Sequence, residues 1–475
     1  MSFIPTFLLL GAYAVALHAL WRKTIPQGTS GARILAWALA VTCSPGVLGL
    51  VGVAMLEFLP MRSDMTYLGA TVAVAAVAWL GARWIPVTTT IETEAWENSP
   101  WTKAQKYLCT AVVAVSGCMM ILSILLPPLS NDPLEYATVA RELYRFRDLA
   151  YYPLVTTDSM SGLYAPWTHP PLYVAIIFLG HVLQQNDSAT AILRLVSPMV
   201  IMGSATLIYW LTRRIGRTAA LLASNIFLAT PFLFSQTIDS AIDPLVVASL
   251  LTATTAMLAC SPTTTRGAIV VGLCAGLGLW SHSQAILFPA LIGAALFGYW
   301  GFRINGKLLK SACIVTCVTL LIGVWPYVRN IFIFGHPISD NNVVFALPEL
   351  DWISYFREAR GYQEIADRIQ YGVLKGWFSI QMYGTSWWLM TIGCIFWSRS
   401  NRADLGNQAR RMLSCALAII AAYVFGMALT ASIGTDLMIR NDRYMLVLTP
   451  YVSIIAGWGL WRLFEQIRGS QEQSA

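Results

Sequence analysis

The chain has 475 residues, of which 56% are hydrophobic and only 12% are charged, with a formal net charge of +7 at pH 7. Because soluble domains are about one quarter charged, this composition excludes a soluble globular protein and predicts a polytopic membrane protein. The positive charges lie in short loops without a basic stripe of interleaved aromatic residues, which excludes nucleic acid as a partner. The nine cysteines fall inside apolar runs, so we interpret them as small buried side chains and not as a disulfide framework.

Apolar runs long enough to cross a bilayer as helices recur along the whole chain. The hydropathy pattern predicts an all-α protein with about thirteen transmembrane helices. The predicted spans, in chain order, are residues 3–20, 34–58, 66–83, 106–126, 195–211, 219–235, 244–260, 268–280, 285–300, 308–327, 377–397, 412–430 and 444–461. No cleavage pattern follows the first run, so we expect it to remain as a span.

Short basic clusters between the spans predict the orientation of the chain. Their members are Arg22, Lys23, Arg33, Arg213, Arg214, Arg217, Arg303, Lys307, Lys310, Arg399, Arg402, Arg410 and Arg411. Basic loops of this kind stay in the cytoplasm, so we expect the N-terminus outside and the C-terminus in the cytoplasm. If the apolar segment 171–183 crossed the membrane, every later basic loop would be reversed, so we predict a helix at the outer interface there.

This orientation gathers the remaining ionisable residues at one face. Two long polar segments, 130–169 and 335–375, become outer loops. At the outer ends of spans or in these loops lie Asp132, Glu135, His169, Arg194, Asp239, Asp243, His282, Arg329, His336, Arg440, Asp442 and Arg443. Charge at a membrane edge is costly and usually functional. Arginines that can bind phosphate, and carboxylates that can act as general bases, suit a substrate with an anionic head group and a lipid tail.

Each of these residues also has a purely structural interpretation. Segment 130–135 is typical of a helix start with Asp132 as its N-cap, and Asp243 stands in a similar position before a proline. The histidines can be interface residues with satisfied hydrogen bonds. Arg194 and Arg443 can anchor lipid head groups by snorkelling.

The order of the motifs along the chain carries more information than any one of them. The relevant segments are 131–136, 168–172, 194–195, 213–216, 241–245, 325–330, 334–337 and 443–444. This ordered set resembles the protein mannosyltransferase and aminoarabinose-transferase superfamily, which are membrane glycosyltransferases of the GT-C type. The resemblance covers residues 104 to about 463 and implies a GT-C transmembrane core there, with interfacial helices in the first large outer loop.

The domain organisation follows from the extent of that resemblance. Residues 1–103 are predicted to form three extra N-terminal transmembrane helices and a cytoplasmic linker, and residues 464–475 a cytoplasmic tail. The glycosyltransferase core, residues 104–463, would carry its two large outer loops at residues 130–194 and 335–375.

The resemblance also implies roles for individual residues. Asp132 would be the catalytic carboxylate that deprotonates the acceptor, with Glu135 as a second catalytic carboxyl. Asp243 matches the second acidic position, so Asp132 and Asp243 would be ligands if a divalent metal ion serves as cofactor. The residues predicted to bind substrate are Tyr136, His169, Arg194, Asp243, His282, Arg329 and Arg443. This chain has Pro133 where the family usually has Glu, and His282 where a Lys is often found.

The implied function is transfer of a hexosyl- or pentosyl-type sugar from a polyprenyl-phosphate carrier to an acceptor hydroxyl. The active site would face the outside of the cytoplasmic (inner) membrane, whose lipid is a second partner. The acceptor is a lipid, a protein or a growing glycan of the cell envelope. A transporter or export component for lipid-linked glycans is the rival interpretation, and a ligase that moves a whole glycan is the third. A transporter would place polar residues near the bilayer midplane on repeated, interrupted helices.

Overall fold

The computed structural model describes residues 3–87, 99–128, 130–149, 152, 169–188, 190–334, 374–399, 405–432 and 442–474. Within these residues every regular element is a helix. The predicted second outer loop lies outside the described residues up to position 373, and so do His336 and Arg440. The side chain of Asp442 is also outside the description.

The described helices follow the predicted spans closely in the first half of the chain. They are α1 Ile4–Thr24, α2 Ala32–Phe58, α3 Asp64–Gly81, α4 Lys103–Leu125, α5 Asn131–Phe146, α6 Leu172–Gln184, α7 Ala191–Thr212, α8 Arg217–Leu228, α9 Pro231–Ile238 and α10 Asp243–Cys260. Those of the second half are α11 Thr265–Leu279, α12 Phe288–Tyr299, α13 Gly306–Gly323, α14 Trp325–Phe334, α15 Lys375–Phe378, α16 Ile380–Tyr383, α17 Ser386–Arg399, α18 Asn407–Ser432 and α19 Thr449–Ser474. Short 3₁₀ helices, Ser283–Leu287 and Asp442–Leu448, precede α12 and α19.

The protein is a multi-pass membrane protein. Among the described helices, nine are long and apolar enough to span a bilayer, and the bent pair α8 and α9 would make a tenth. The all-α polytopic class is therefore confirmed, whereas the count of thirteen is not. Two predicted spans form shorter apolar helices, because the chain turns after fewer than 18 residues at α11 and at the segment Ser283–Tyr299.

Prolines and glycines interrupt several predicted spans. The run 219–235 bends by 61° where α9 begins at Pro231. Proline lacks an N–H and its ring clashes with the preceding helical turn, so it is favoured at the start of a helix and bends or breaks a helix at internal positions. The run 377–397 is divided into α15, α16 and α17, with Gly384 at a φ of +58° before the last of them. Hydropathy alone does not detect such breaks.

Helix α6 occupies the segment that was predicted to lie at the outer interface. It has 13 residues, and every side chain from Leu172 to Val182 is buried. Helix α2 approaches it very closely, since a Cβ at Gly49 would lie 2.8 Å from the Leu172 carbonyl oxygen. The segment is therefore surrounded by protein and does not rest on lipid, in agreement with a sequence that is apolar on all sides.

Close backbone contact also joins α12 to α18. A Cβ at Gly298 would lie 2.5 Å from the carbonyl oxygen of Ser414, whereas a Cβ at Gly293, in the same helix, would meet nothing within 4 Å. Small residues at such contacts allow membrane helices to pack through their backbones, which is a main source of their association.

We predict that Gly298→Ala lowers stability by on the order of 1–3 kcal/mol, because the added methyl group overpacks the α12–α18 contact. The matched variant Gly293→Ala should be neutral or slightly stabilising, since alanine favours a helix interior over glycine. Thermal unfolding of the purified protein in detergent measures both. Equal melting temperatures for the two variants would contradict the packing at Gly298.

Candidate active site

Three parts of the chain meet at one end of α10. Asp132 lies in the first turn of α5, Asp243 is the first residue of α10, and Arg443 belongs to the 3₁₀ helix before α19. Nη1 of Arg443 donates a hydrogen bond to Oδ2 of Asp132, although 311 positions separate the two residues in the chain. Arg443 also interacts electrostatically with Asp243, so that one guanidinium serves two carboxylates.

Helix capping does not explain these two carboxylates. Helix α5 begins at Asn131 with Ser130 as its N-cap, so Asp132 lies inside the first turn, and no side chain caps the helix. At α10 the N-cap is Ile242, again without a side-chain cap. Oδ2 of Asp243 is buried and has no hydrogen-bond partner among the described residues. A buried carboxylate oxygen of this kind is a functional candidate because leaving it unpaired is costly.

Two histidine rings lie in contact, tilted by 31°, beside the carboxylates. The ring centroids of His169 and His282 are 3.9 Å apart. Burial lowers the pKa of His282 to about 3, with a smaller effect from Arg443. Burial, followed by His282 and Arg443, holds the pKa of His169 well below its usual value. Both rings are therefore neutral and act by hydrogen bonding, without carrying positive charge.

The tautomer of His282 follows from its neighbours. Its Nδ1 accepts a hydrogen bond of 3.0 Å from the backbone N–H of Gln284. A neutral imidazole that accepts at Nδ1 carries its proton on Nε2. This Nε2–H is buried and has no hydrogen-bond partner within the described part of the chain, so it can donate to a bound substrate.

The side chains next to Asp132 on α5 complete this cluster. Burial and, to a smaller extent, the charge of Asp132 raise the pKa of Glu135 to about 7, against an opposing effect of Arg443. Tyr136 is buried and packs edge-on against Tyr173, with their ring centroids 5.4 Å apart. The structure thus brings most of the predicted site residues into one cluster. Its members are Asp132, Glu135, Tyr136, His169, Asp243, His282 and Arg443.

The other two predicted binding residues, Arg329 and Arg194, donate hydrogen bonds to backbone carbonyl oxygens. Nη2 of Arg329 donates to the carbonyl oxygens of Leu149, at 3.1 Å, and Tyr152, at 2.7 Å. Because the Tyr152 hydroxyl donates in turn to the His169 carbonyl oxygen, Arg329 supports the cluster indirectly. Arg194 donates to the carbonyl oxygen of Ile124 at 3.0 Å, close to the C-terminus of α4. The described contacts do not join Arg194 to the cluster.

Sequence reasoning missed Gln284, which positions Arg443. Nε2 of Gln284 donates to the Tyr423 hydroxyl at 2.9 Å and to the Tyr444 carbonyl oxygen at 2.6 Å. These bonds tie the residue after Arg443 to the connection between α11 and α12. The only sequence signal was a polar side chain two positions after His282 in an otherwise apolar region.

The donor set does not fit a metal ion. Among the described residues, no three His, Cys, Asp or Glu side chains form a group that could hold one. The guanidinium of Arg443 already supplies positive charge to both acidic side chains. The assignment of Asp132 and Asp243 as metal ligands stays a prediction, and no part of the chemistry below depends on it.

Comparisons with known proteins agree with the sequence motifs. A model of the dolichyl-phosphate-mannose-protein mannosyltransferase family matches residues 168–329, which include His169, Asp243 and His282. No curated protein matches the chain in sequence.

Solved structures share the fold. ArnT from Cupriavidus metallidurans bound to undecaprenyl phosphate aligns with a TM-score of 0.54 and 17% identity, over 78% of this chain and 62% of that one. The apo state of the same protein aligns with a TM-score of 0.52 and 16% identity, over 78% of this chain and 62% of that one. An oligosaccharyltransferase from Archaeoglobus fulgidus, solved with a tethered acceptor peptide, aligns with a TM-score of 0.47 and 13% identity. This alignment covers 76% of this chain and 50% of that one. This chain spans less than two thirds of the length of these proteins. The predicted GT-C fold is confirmed, and the family match over residues 168–329 agrees with the predicted superfamily.

The raised pKa of Glu135 predicts how stability depends on pH. Folding keeps this carboxyl neutral up to about pH 7, whereas the unfolded chain ionises near its ordinary value of 4.5. Between those two pH values the unfolded chain ionises Glu135 while the folded protein keeps it protonated, so the free energy of unfolding of the wild type falls progressively. Thermal unfolding of Glu135→Gln and wild type should agree near pH 4.5, and the variant should gain in relative stability up to about pH 7. A difference that is constant over this range would contradict the burial of Glu135.

Proposed function

We propose that this chain belongs to the GT-C superfamily and is an integral membrane glycosyltransferase that uses a polyprenyl-phosphate sugar as its donor. It would transfer a hexosyl or pentosyl group to an acceptor hydroxyl at the outer face of the cytoplasmic membrane. The observation that carries the proposal is the Arg443 guanidinium shared by Asp132 and Asp243 at the end of a membrane helix. A lipid-linked phosphate and a hydroxyl acceptor need this combination of cation and carboxylate.

The family match and the fold support the class of donor. The matched family is described by a dolichyl-phosphate-mannose donor, and ArnT was crystallised with undecaprenyl phosphate. Both are polyprenyl phosphates. In this chain, Asp243 and His282 belong to the matched segment. Asp132 lies before this segment in the sequence and Arg443 after it, and the two form an ion pair.

The reaction we infer is a single displacement. Asp132 accepts the proton of the acceptor hydroxyl, and that oxygen forms a bond to the anomeric carbon of the sugar. The bond from this carbon to the carrier phosphate oxygen breaks, and the oxygen leaves with the electron pair. Attack from the face opposite the leaving group inverts the anomeric configuration.

Because Arg443 is paired with Asp132, binding of the sugar donor would change the state of the catalytic base. A carrier phosphate would compete for the guanidinium, because Arg443 offers several donors in a fork that matches phosphate. As Arg443 turns to the phosphate, Asp132 loses its partner and becomes a stronger base for the acceptor. Neutral His282 would donate its Nε2–H to the donor, and Asp243 would keep Arg443 in place.

We predict that Asp132→Asn abolishes sugar transfer while the protein stays folded, because the amide cannot accept the acceptor proton. The assay uses purified protein in lipid, a panel of labelled polyprenyl-phosphate sugars, and release of carrier phosphate as the readout. The matched control is Asp187→Asn, which removes an exposed carboxylate paired with Arg145 in the same outer loop.

Two results would overturn the assignment. Full activity of Asp132→Asn would remove the base from the mechanism. Movement of labelled lipid-linked sugar across proteoliposomes, without release of carrier phosphate from any donor, would favour the transporter.

Replacement of Arg443 by Lys tests phosphate binding separately from proton transfer. Lysine keeps the charge but loses the fork, so the KM for the donor should rise by roughly tenfold or more, from the loss of a charged hydrogen bond. An unchanged KM for the donor would show that the phosphate binds elsewhere.

A further inference from the structure

A basic cavity of about 370 Å³ lies far from the active-site cluster. It is formed between the C-terminal end of α12 and the N-terminal end of α18, and is lined by Tyr299, Trp300, Arg303, Trp397, Arg410 and Arg411. Because α10 runs for 18 residues, or about 27 Å, the two sites are one helix length apart. Asp243 begins that helix, and Ala259 near its other end lines a smaller neighbouring cavity.

The smaller cavity extends the basic surface. It shares Tyr299 and Arg411 with the basic cavity and adds Arg214. Together the two cavities present Arg214, Arg303, Arg410 and Arg411, whereas the described residues that line them include no Asp or Glu. Arginines that line a concave site together produce a positive potential there, which attracts anions.

This site is held by specific contacts. The guanidinium of Arg411 lies over the ring of Tyr299, 4.7 Å from its centroid, and Nη1 donates to the Tyr299 hydroxyl at 3.3 Å. The same hydroxyl is 3.0 Å from Oγ of Ser261 at the end of α10. The close backbone contact of Gly298 with Ser414 fixes the wall of the cavity. Arg411 is therefore oriented before any ligand binds, which reduces the entropy lost on binding.

Trp300 supplies a second observation that points to a ligand. Its Nε1–H is buried and has no hydrogen-bond partner among the described residues. A buried donor without a partner is costly, and a phosphate oxygen in the cavity would satisfy it. Arginine, an indole N–H and aromatic walls are suited to a phosphate ester.

The surroundings favour a lipid as the source of that phosphate. The residues on either side of Arg303, Phe302 and Ile304, are apolar and exposed, Ile304 to 77%. Apolar side chains next to an arginine match the boundary between head groups and acyl chains. Basic pockets between membrane helices on the cytoplasmic side bind anionic head groups in this way, and these arginines belong to the loops predicted to be cytoplasmic.

We infer that the basic cavity binds the phosphate of an anionic phospholipid from the cytoplasmic leaflet. This site is independent of the proposed glycosyl transfer and lies at the other end of the protein. Basic loops that served only to orient the chain would need no oriented arginine and no buried indole N–H.

The test compares Arg411→Gln with Arg399→Gln. Both remove one positive charge, but Arg399 is exposed at the end of α17 and does not line the cavity. Native mass spectrometry counts the phospholipids that remain on the purified protein, after incubation with micelles containing phosphatidylglycerol or phosphatidylcholine. We expect a preference for phosphatidylglycerol in wild type, and a dissociation constant roughly tenfold higher in Arg411→Gln only.

A second variant protects the result against misfolding. Trp300→Phe keeps an aromatic ring and removes the indole N–H, so it should weaken phosphatidylglycerol binding severalfold while the melting temperature in detergent stays close to wild type. Equal losses in Arg411→Gln and Arg399→Gln, or no preference for phosphatidylglycerol, would overturn the site. Displacement of the lipid by millimolar inorganic phosphate or glycerol phosphate would overturn the lipid source in favour of a soluble phosphate compound.

Discussion

The arrangement of the candidate site depends on one guanidinium. The buried carboxylate of Asp243 and the partly exposed carboxylate of Asp132 are costly to place together unless a cation accompanies them. Arg443 provides that cation, and it reaches Asp132 only because the 3₁₀ helix before α19 is held against the α11–α12 connection. Gln284 and the Tyr423 hydroxyl form this attachment. Residues far apart in the chain must therefore pack correctly before the charge of Arg443 can offset that of the carboxylates. Burial, with a smaller contribution from the same charge, keeps the nearby histidines neutral.

The side chains of this site are polar and held in fixed orientations, and some of their donors and acceptors have no partner among the described residues. Nε2 of His282 and Oδ2 of Asp243 face the interior without a partner in the described part of the chain. Fixed donors and acceptors in a buried site stabilise developing charge with little reorganisation. The carbonyl contacts of Arg329 and the Ser283 hydroxyl, 2.8 Å from Nδ1 of His169, keep the surrounding loops in place. The supporting residues therefore matter to the chemistry as much as those that would touch substrate.

Helix α10 connects the two anion-binding sites that we infer. Asp243 belongs to the active-site cluster, and the other end of the helix contributes to the basic surface around Tyr299 and Arg411. Nearly all of α10 is buried, so it is a rigid part of the core between them. An anionic lipid bound at the basic cavity would stabilise the contact of α12 with α18. Gly298 allows the two backbones to approach closely at this contact.

The sequence by itself determined the membrane class, most of the span positions and the order of motifs that points to a GT-C glycosyltransferase, because hydropathy and short motifs are local properties. It also selected seven residues that the tertiary structure brings into one cluster. Only the tertiary structure decided that Arg443 pairs with Asp132, that Gln284 positions Arg443, and that Arg194 binds the end of α4. It also decided the surroundings of α6, since an apolar helix can face lipid or protein equally well. Pairing and burial depend on which distant segments come together, and composition does not encode this.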